Sequence, residues 1–239
     1  MEALDFERSQ ALNNIPNKKL QDTLSSIKNG ADTDDIKQVK LIAINRYYES
    51  NIPIEYWELT MNKNFTGDPR LKKKYEDYIS DIKSSYLNGS SLCLAGFYGL
   101  GKTMTSTCIL KKACQKGYSC LYTTLSDIVA VLTQANAEDK FLARRELFLV
   151  DFLVIDELDE RFMATENAAD LSARSLEGVF RTRSQNKLPT LICTNSPNII
   201  ECFTGNLKAS LNSLMQGYME FFPVLGNDFR KIERKKGSK

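Results

Sequence analysis

The chain contains no histidine. That removes the side chain most often used as a general base and a common metal ligand near neutral pH, so acid–base chemistry must fall to carboxylates. Six cysteines stand at 93, 108, 114, 120, 193 and 202, with no Cys-x-x-Cys pair among them. Zinc needs clustered thiolate or imidazole ligands, so no zinc site is expected, and the cysteines read as buried, reduced thiols. Long apolar runs are also missing. The stretch from Leu147 to Ile155 is interrupted by Asp151 and falls far short of the roughly 20 residues of a membrane-spanning helix. The first residues show no basic segment followed by an apolar one, so they do not read as a secretory signal. A cytoplasmic protein with no membrane partner is expected. A formal net charge of +2 is too small to argue for nucleic-acid binding, which has to rest on local patches.

Hydrophobic residues make up 42% and charged residues 26% of the 239 positions, close to a folded globular average. One main domain is the expectation at this length. Helical signals run from Asn17 to Ile27 and from Asp34 to Tyr48, separated by the turn-forming segment 29–32. Together they predict a helical N-terminal appendage over residues 1–50. Within it Val39, Ile42, Ala43 and Tyr47 recur at helical spacing, suiting either packing on the main domain or a docking face; packing is the simpler expectation. The segment Asn51-Ile-Pro53 breaks the helix, a loop follows at 65–69, and a further helix is predicted from Leu71 to Leu87.

From residue 91 the chain alternates short β-type runs with helical segments. The runs fall at 91–95, 118–124, 147–155, 189–194 and 218–224, a rhythm that predicts a parallel sheet wrapped by helices. About fifteen residues follow the last run, ending in a basic tail over 231–239, so little or no C-terminal lid is expected.

Between the first run and a helix lies Gly96-Phe-Tyr-Gly-Leu-Gly-Lys-Thr103. This spacing lets glycine backbone curl its N–H groups toward phosphates at a helix N-terminus, while a lysine adds a point charge and a hydroxyl a Mg²⁺ ligand. Gly96, Gly99, Leu100, Gly101, Lys102, Thr103 and Met104 are thus the candidate nucleotide contacts. A merely tight glycine turn would leave Lys102-Thr103 at the helix start unexplained. About fifty residues on, the run ending Leu153-Val-Ile-Asp156-Glu157 places two carboxylates at a strand end. In the chemistry of such sites Asp156, with Thr103, holds Mg²⁺, and Glu157 polarises the attacking water. A third run, Leu188 to Asn195, ends in two small polar residues. Asn195 is the candidate sensor of the γ-phosphate, although Asn also suits a helix cap there.

These three passages resemble the AAA+ ATPases of the DnaC/DnaI helicase-loader and IstB transposition-helper group. Leu92 to Thr103 looks like the loader P-loop, Leu153 to Leu158 like its Walker B, and Arg183 to Asn195 like its sensor strand. Ser50 to Pro53 and Asp228 to Arg230 are similar to segments flanking the core, so coverage runs from about residue 50 to 231. The resemblance implies a P-loop NTPase of AAA+ type, a five-stranded parallel sheet in the order 5-1-4-3-2, and an ATPase core over 51–230. It also implies ATP and Mg²⁺ as ligands, self-association, and delivery of a DnaB-type hexameric helicase to single-stranded DNA, with residues 1–50 as the helicase-docking element. An IstB-like helper on duplex DNA and a nucleotide-binding adaptor with little hydrolysis are the competing readings. A small-molecule kinase fits Glu157 and Asn195 less well.

One departure stands out. The family's arginine finger precedes the last strand, but here the matching stretch is Leu211-Asn-Ser213-Leu214-Met215, and no arginine occurs between Arg183 and Arg230. A finger is worth about 10³ to 10⁵ in rate, so turnover by the isolated chain should be weak unless Arg181, Arg183, Lys208 or a partner replaces it. Such drift would suit a phage or mobile-element copy acting in a host cytoplasm. Lys140, Arg144 and Arg145 are the candidate DNA contacts, a solvated helix face being the plainer account of them. Tyr56, Trp57 and Tyr122 suit stacking on a base, or the core. Lys102→Ala is expected to abolish ATP binding, while Glu157→Gln keeps binding and removes hydrolysis. Nucleotide titration and phosphate release check both, and ordinary affinity in the first variant would sink the P-loop assignment.

Overall fold

The computed structural model describes residues 10–134, 136–159, 166–203 and 205–228. The basic tail and Arg230 lie outside them. Five strands, β1 (Ser91–Ala95), β2 (Cys120–Thr124), β3 (Phe152–Asp156), β4 (Thr190–Thr194) and β5 (Met219–Pro223), form one sheet in the order β2-β3-β4-β1-β5. All four pairings are parallel, so the expected order is borne out. Strands β3 and β4 are buried throughout, as their unbroken apolar runs require when helices cover both faces.

The connecting helices are α6 (Lys102–Gln115), α7 (Leu125–Gln134), α8 (Ala137–Leu149), α9 (Glu166–Gln185) and α10 (Gly205–Tyr218). The expected strand over 147–155 is shortened. Residues 147–149 finish α8 instead, with Leu147 buried in the core, because a short apolar run does not by itself distinguish a buried helix end from a strand. Asp151 marks the break: its Oδ2 accepts from Ser119 N and Oγ at 2.8 and 2.9 Å.

Before the sheet come α1 (Asn17–Asn29), α2 (Asp34–Glu49), α3 (Met61–Asn64), α4 (Pro69–Ser80) and α5 (Ile82–Leu87). The helix expected over 71–87 is therefore two. Asp81 has a non-helical backbone, and its side chain accepts from Ser84 N to start the second, a local hydrogen bond that competes with helix continuation. On α2, Ile44 and Tyr47 are buried, but Val39 and Ile42 are 68% and 52% exposed. The expectation that Val39 and Ile42 pack inward is thus overturned. The helix turns its Ile44 and Tyr47 face to the domain, leaving Ile36, Val39 and Ile42 on the outside.

The segment after α2 is tied to the sheet edge. Tyr122 N donates to Ser50 O at 2.8 Å, and Asn51 Nδ2 donates to Tyr122 O at 3.0 Å. An edge strand exposes unpaired backbone groups; residues 50–51 cover this one. Lys111 on α6 holds the next stretch, its ammonium donating to Tyr56 O at 2.6 Å, Trp57 O at 3.3 Å and Leu59 O. Burial pushes the Lys111 pKa down, and these carbonyls offset the cost of the buried charge. At the other edge, Asp68 caps α4 and accepts from Leu225 N at 3.1 Å just past β5.

Asp68 also receives Arg70 Nε at 3.1 Å and Arg70 Nη2 at 2.6 Å. The Arg70 hydrogen bond, with the backbone donors, holds its carboxyl down to about 2. A depressed folded pKa contributes stability above the unfolded value of 3.8, and that contribution fades as pH falls toward 2. Asp68→Asn is expected to cost about 1–2 kcal/mol at pH 7, discounted because Arg70 is half exposed, and nothing near pH 2. Urea unfolding at the two pH values checks this; an equal loss at both would assign the effect to the cap instead.

Candidate functional site

Parallel strands send their carboxyl ends to one edge, and ligands of such sheets sit there. The loops after β1, β3 and β4 meet at that edge around a cleft of about 570 Å³. It is lined by Gly99 to Met104, Asp156, Glu157 and Asn195, together with Pro53, Tyr56 and Tyr122. All three sequence motifs therefore converge on one cavity, within the size range of small-molecule and cofactor sites.

The loop after β1 depends on glycine at two points. Gly101 has φ of 86° and starts α6, a left-handed conformation that a side chain disfavours. A Cβ on Gly96 would lie 2.4 Å from Val224 O, so only glycine lets the chain pass β5 there. Lys102 follows, 6% exposed. Its ammonium donates to Gly96 O and Phe97 O at 2.7 Å each and to Asn195 Oδ1 at 2.9 Å. The lysine thus bridges the P-loop and the β4 end, with its charge at the cleft wall.

Asp156 closes β3 with both oxygens engaged, Oδ2 by the Tyr122 hydroxyl at 2.8 Å and Oδ1 by Glu157 N at 2.8 Å. A carboxylate has about four acceptor positions, so Asp156 keeps capacity for a metal-bound water. Burial, then the neighbouring Asp156 carboxylate, pushes the Tyr122 pKa up, so the phenol stays a donor. Tyr122 is therefore a support for Asp156. Trp57 likewise is buried, donating to Ile52 O at 2.7 Å, whereas Tyr56 lines the cleft.

Glu157 takes φ of 52° and is exposed. A left-handed non-glycine residue costs roughly 1–3 kcal/mol and persists where its surroundings hold it. Here Leu158 N donates to Cys193 O at 3.1 Å, resuming contact with β4 beyond the kink. Glu157 is thereby pushed out at the cleft while Leu158 is buried.

Arg183 is withdrawn as a trans-acting candidate. It is fully buried, donating to Thr190 Oγ1 and Val150 O at 2.8 Å, Pro189 O at 2.8 Å and Leu147 O at 3.3 Å. Those partners lie at the strand starts, opposite the cleft, so it cannot reach a neighbouring site. Burial lowers its pKa to about 10, which leaves it charged. Arg181 stands on the exposed side of α9, paired with Glu177 at 2.7 Å. Lys208 pairs with Glu201. On α8, Arg144 is exposed and lies 5.4 Å over the Phe148 ring, and Lys140 donates to Thr133 O at 3.3 Å. Arg145 is half-buried on the same helix. Cys93, Cys108, Cys114, Cys120 and Cys193 are buried thiols, as expected. Sequence reasoning missed Asp159, which accepts from Asn195, and Tyr98, which donates to Asp159; the signal for Asp159 was a third carboxylate three residues after Asp156.

Residues 76–185 match the family model described as IstB-like ATP binding protein. The resemblance read from the sequence holds. No curated protein sequence matches the chain. Among solved structures, DnaI is 16% identical at a TM-score of 0.57, covering 72% of this chain and 94% of its own. The DnaC helicase loader is 17% identical at 0.57, covering 72% and 100%. Replication initiator DnaA bound to AMPPCP and single-stranded DNA is 16% identical at 0.57, covering 77% and 56%. The chain spans about half the length of the initiator structures it matches, 54% for a DNA replication initiation factor. The fold is thus that of AAA+ P-loop ATPases. Among the described residues no helix is long and apolar enough to cross a membrane.

Tyr122→Phe is expected to lower stability by about 1–3 kcal/mol, because it strips a donor from a buried carboxylate oxygen. Denaturant unfolding measures it, and a loss below about 0.5 kcal/mol would mean that water takes the phenol's place.

Proposed function

We propose that this protein is an ATP-dependent loader that delivers a ring-shaped replicative DNA helicase to single-stranded DNA as an ATP-controlled oligomer. The observation that carries the reading is the convergence of Lys102, Asp156, Glu157 and Asn195 on one cleft. A hydrolytic site needs each of them. Lys102 holds the β and γ phosphates, Glu157 takes the proton of the attacking water, and Asn195 meets the γ-phosphate end. Thr103 and Asp156 would hold Mg²⁺, which when bound offsets the phosphate charge. The donor set suits it: a hydroxyl at the helix start and a carboxylate already fixed by two donors.

The name of the DnaC helicase loader and the DNA bound by DnaA describe those proteins. They support the proposal that helicase and single-stranded DNA are partners here, with α2 presenting Ile36, Val39 and Ile42 to the helicase, and Lys140, Arg144 and Arg145 beside the DNA. With Arg183 buried, Arg181 or a partner protein supplies any trans-acting arginine, and turnover by the isolated chain is weak. A second reading, an IstB-like helper on duplex DNA, is favoured by the family match over 76–185. A third, a nucleotide-binding adaptor, is favoured by the arginine-free stretch at Ser213-Leu214-Met215.

Co-purification with the host replicative helicase, with and without ATP and read by light scattering, tests the proposal. A complex of defined mass that ATP alters is the expected result. No complex, with ATP-dependent coating of duplex DNA, would transfer the function to the transposition-helper reading.

A further inference from the structure

Asp159 is 2% exposed, three residues past the Walker B aspartate, behind two residues that line the cleft, Tyr98 and Asn195. Its Oδ2 accepts from the Tyr98 hydroxyl at 2.8 Å and from Asn195 Nδ2 at 3.2 Å. Asn195 Oδ1 in turn accepts from Lys102 Nζ at 2.9 Å. An asparagine amide is thus set between a cation and an anion. Turned over, it would face NH₂ to the ammonium and C=O to the carboxylate, losing two charge-assisted hydrogen bonds and gaining two repulsions.

We propose that Asp159 is a positioning residue that fixes the polarity of the Asn195 amide, and that Tyr98 links this setting to the P-loop. Asn195 then presents an acceptor, not a donor, to the Lys102 ammonium, and acts on the γ-phosphate end of the cleft through that cation and through water. Its oxygen orients the lysine ammonium, and a water placed there would be held through one hydrogen while Glu157 takes the other. Tyr98 belongs to the phosphate-binding loop itself. A phosphate that shifts this loop pulls on the Tyr98–Asp159 bond, so the loop after β3 senses the same event as Asn195.

The proposal rests on the ATP-binding reading and deepens it. Its consequence is discrimination of ATP from ADP, since the β-phosphate that both nucleotides offer meets Lys102 alone, while the γ-phosphate end of the cleft is where Asn195 stands. The test is calorimetric titration of the full chain with ADP and with a non-hydrolysable ATP analogue, both with Mg²⁺. In Asp159→Ala, ADP affinity should stay within about twofold while the preference for the ATP analogue falls about tenfold, the scale of one charge-assisted hydrogen bond. Asp159→Asn, whose carbonyl can still accept from both partners, should recover most of it. Asn195→Ala should lose the same preference, and the Asp159→Ala/Asn195→Ala double variant should be no worse than Asn195→Ala alone. Tyr98 is half exposed, so Tyr98→Phe keeps the fold and should lower the preference about threefold even if Asp159→Ala fails to fold.

Additive losses, or an unchanged preference in Asp159→Ala or Tyr98→Phe, would overturn the proposal while leaving the ATP site intact. A wild-type protein that binds both nucleotides equally would overturn it too. Binding of neither would remove the ATP-binding reading as well.

Discussion

The buried ammonium of Lys102 is the constraint around which the rest of the cleft is arranged. A lysine head group almost wholly withdrawn from water is costly unless oxygen atoms surround it, and here two P-loop carbonyls and the Asn195 amide do so. Those three oxygens come from the loops after β1 and β4, neighbouring strands in the sheet. The charge therefore draws together the loops after β1 and β4, and the same groups hold the lysine at the cleft wall.

Support for this arrangement reaches well beyond the motifs. Tyr122 on the edge strand steadies Asp156, and residues 50–51 in turn cover that strand through Ser50 O and Asn51 Nδ2. Lys111, one buried cation further along α6, gathers the carbonyls of residues 56, 57 and 59 and so sets the cleft wall that contains Tyr56. The segment joining the N-terminal helices to the core is thus part of the cleft that the P-loop lines. A contact made on α1 or α2 has a short route to it through packed, hydrogen-bonded groups. Arg183 does the opposite job at the far end of the sheet, where a fixed, buried guanidinium ties the end of α9 to the starts of β3 and β4.

Much of this was legible in the residues alone. Strands β1 and β4 stand where alternation placed them, and the sheet order follows the family resemblance. The P-loop, the paired carboxylates and Asn195 all reach one cleft. The failures have local causes: 147–149 is apolar whether it ends a helix or starts a strand, and Asp81 caps a new helix inside what reads as one. Arginine 183 looked like a free cation because sequence records charge and not burial. Val39 and Ile42 looked like core because periodicity marks an apolar side without showing whether anything covers it.

Sequence by itself determined what depends on contiguous backbone: the glycine-permitted turn, the lysine and threonine at a helix start, and the acidic end of an apolar strand. Each is a property of a few neighbouring residues. Tertiary structure alone decided the partners that meet across the sheet, since Tyr98 and Asp159 are 61 positions apart, and Lys102 and Asn195 are 93. Their meeting follows from strand order and from the kink at Glu157, which return distant loops to one edge. Which carboxylate supports, which tyrosine donates and which arginine is buried are settled by that packing.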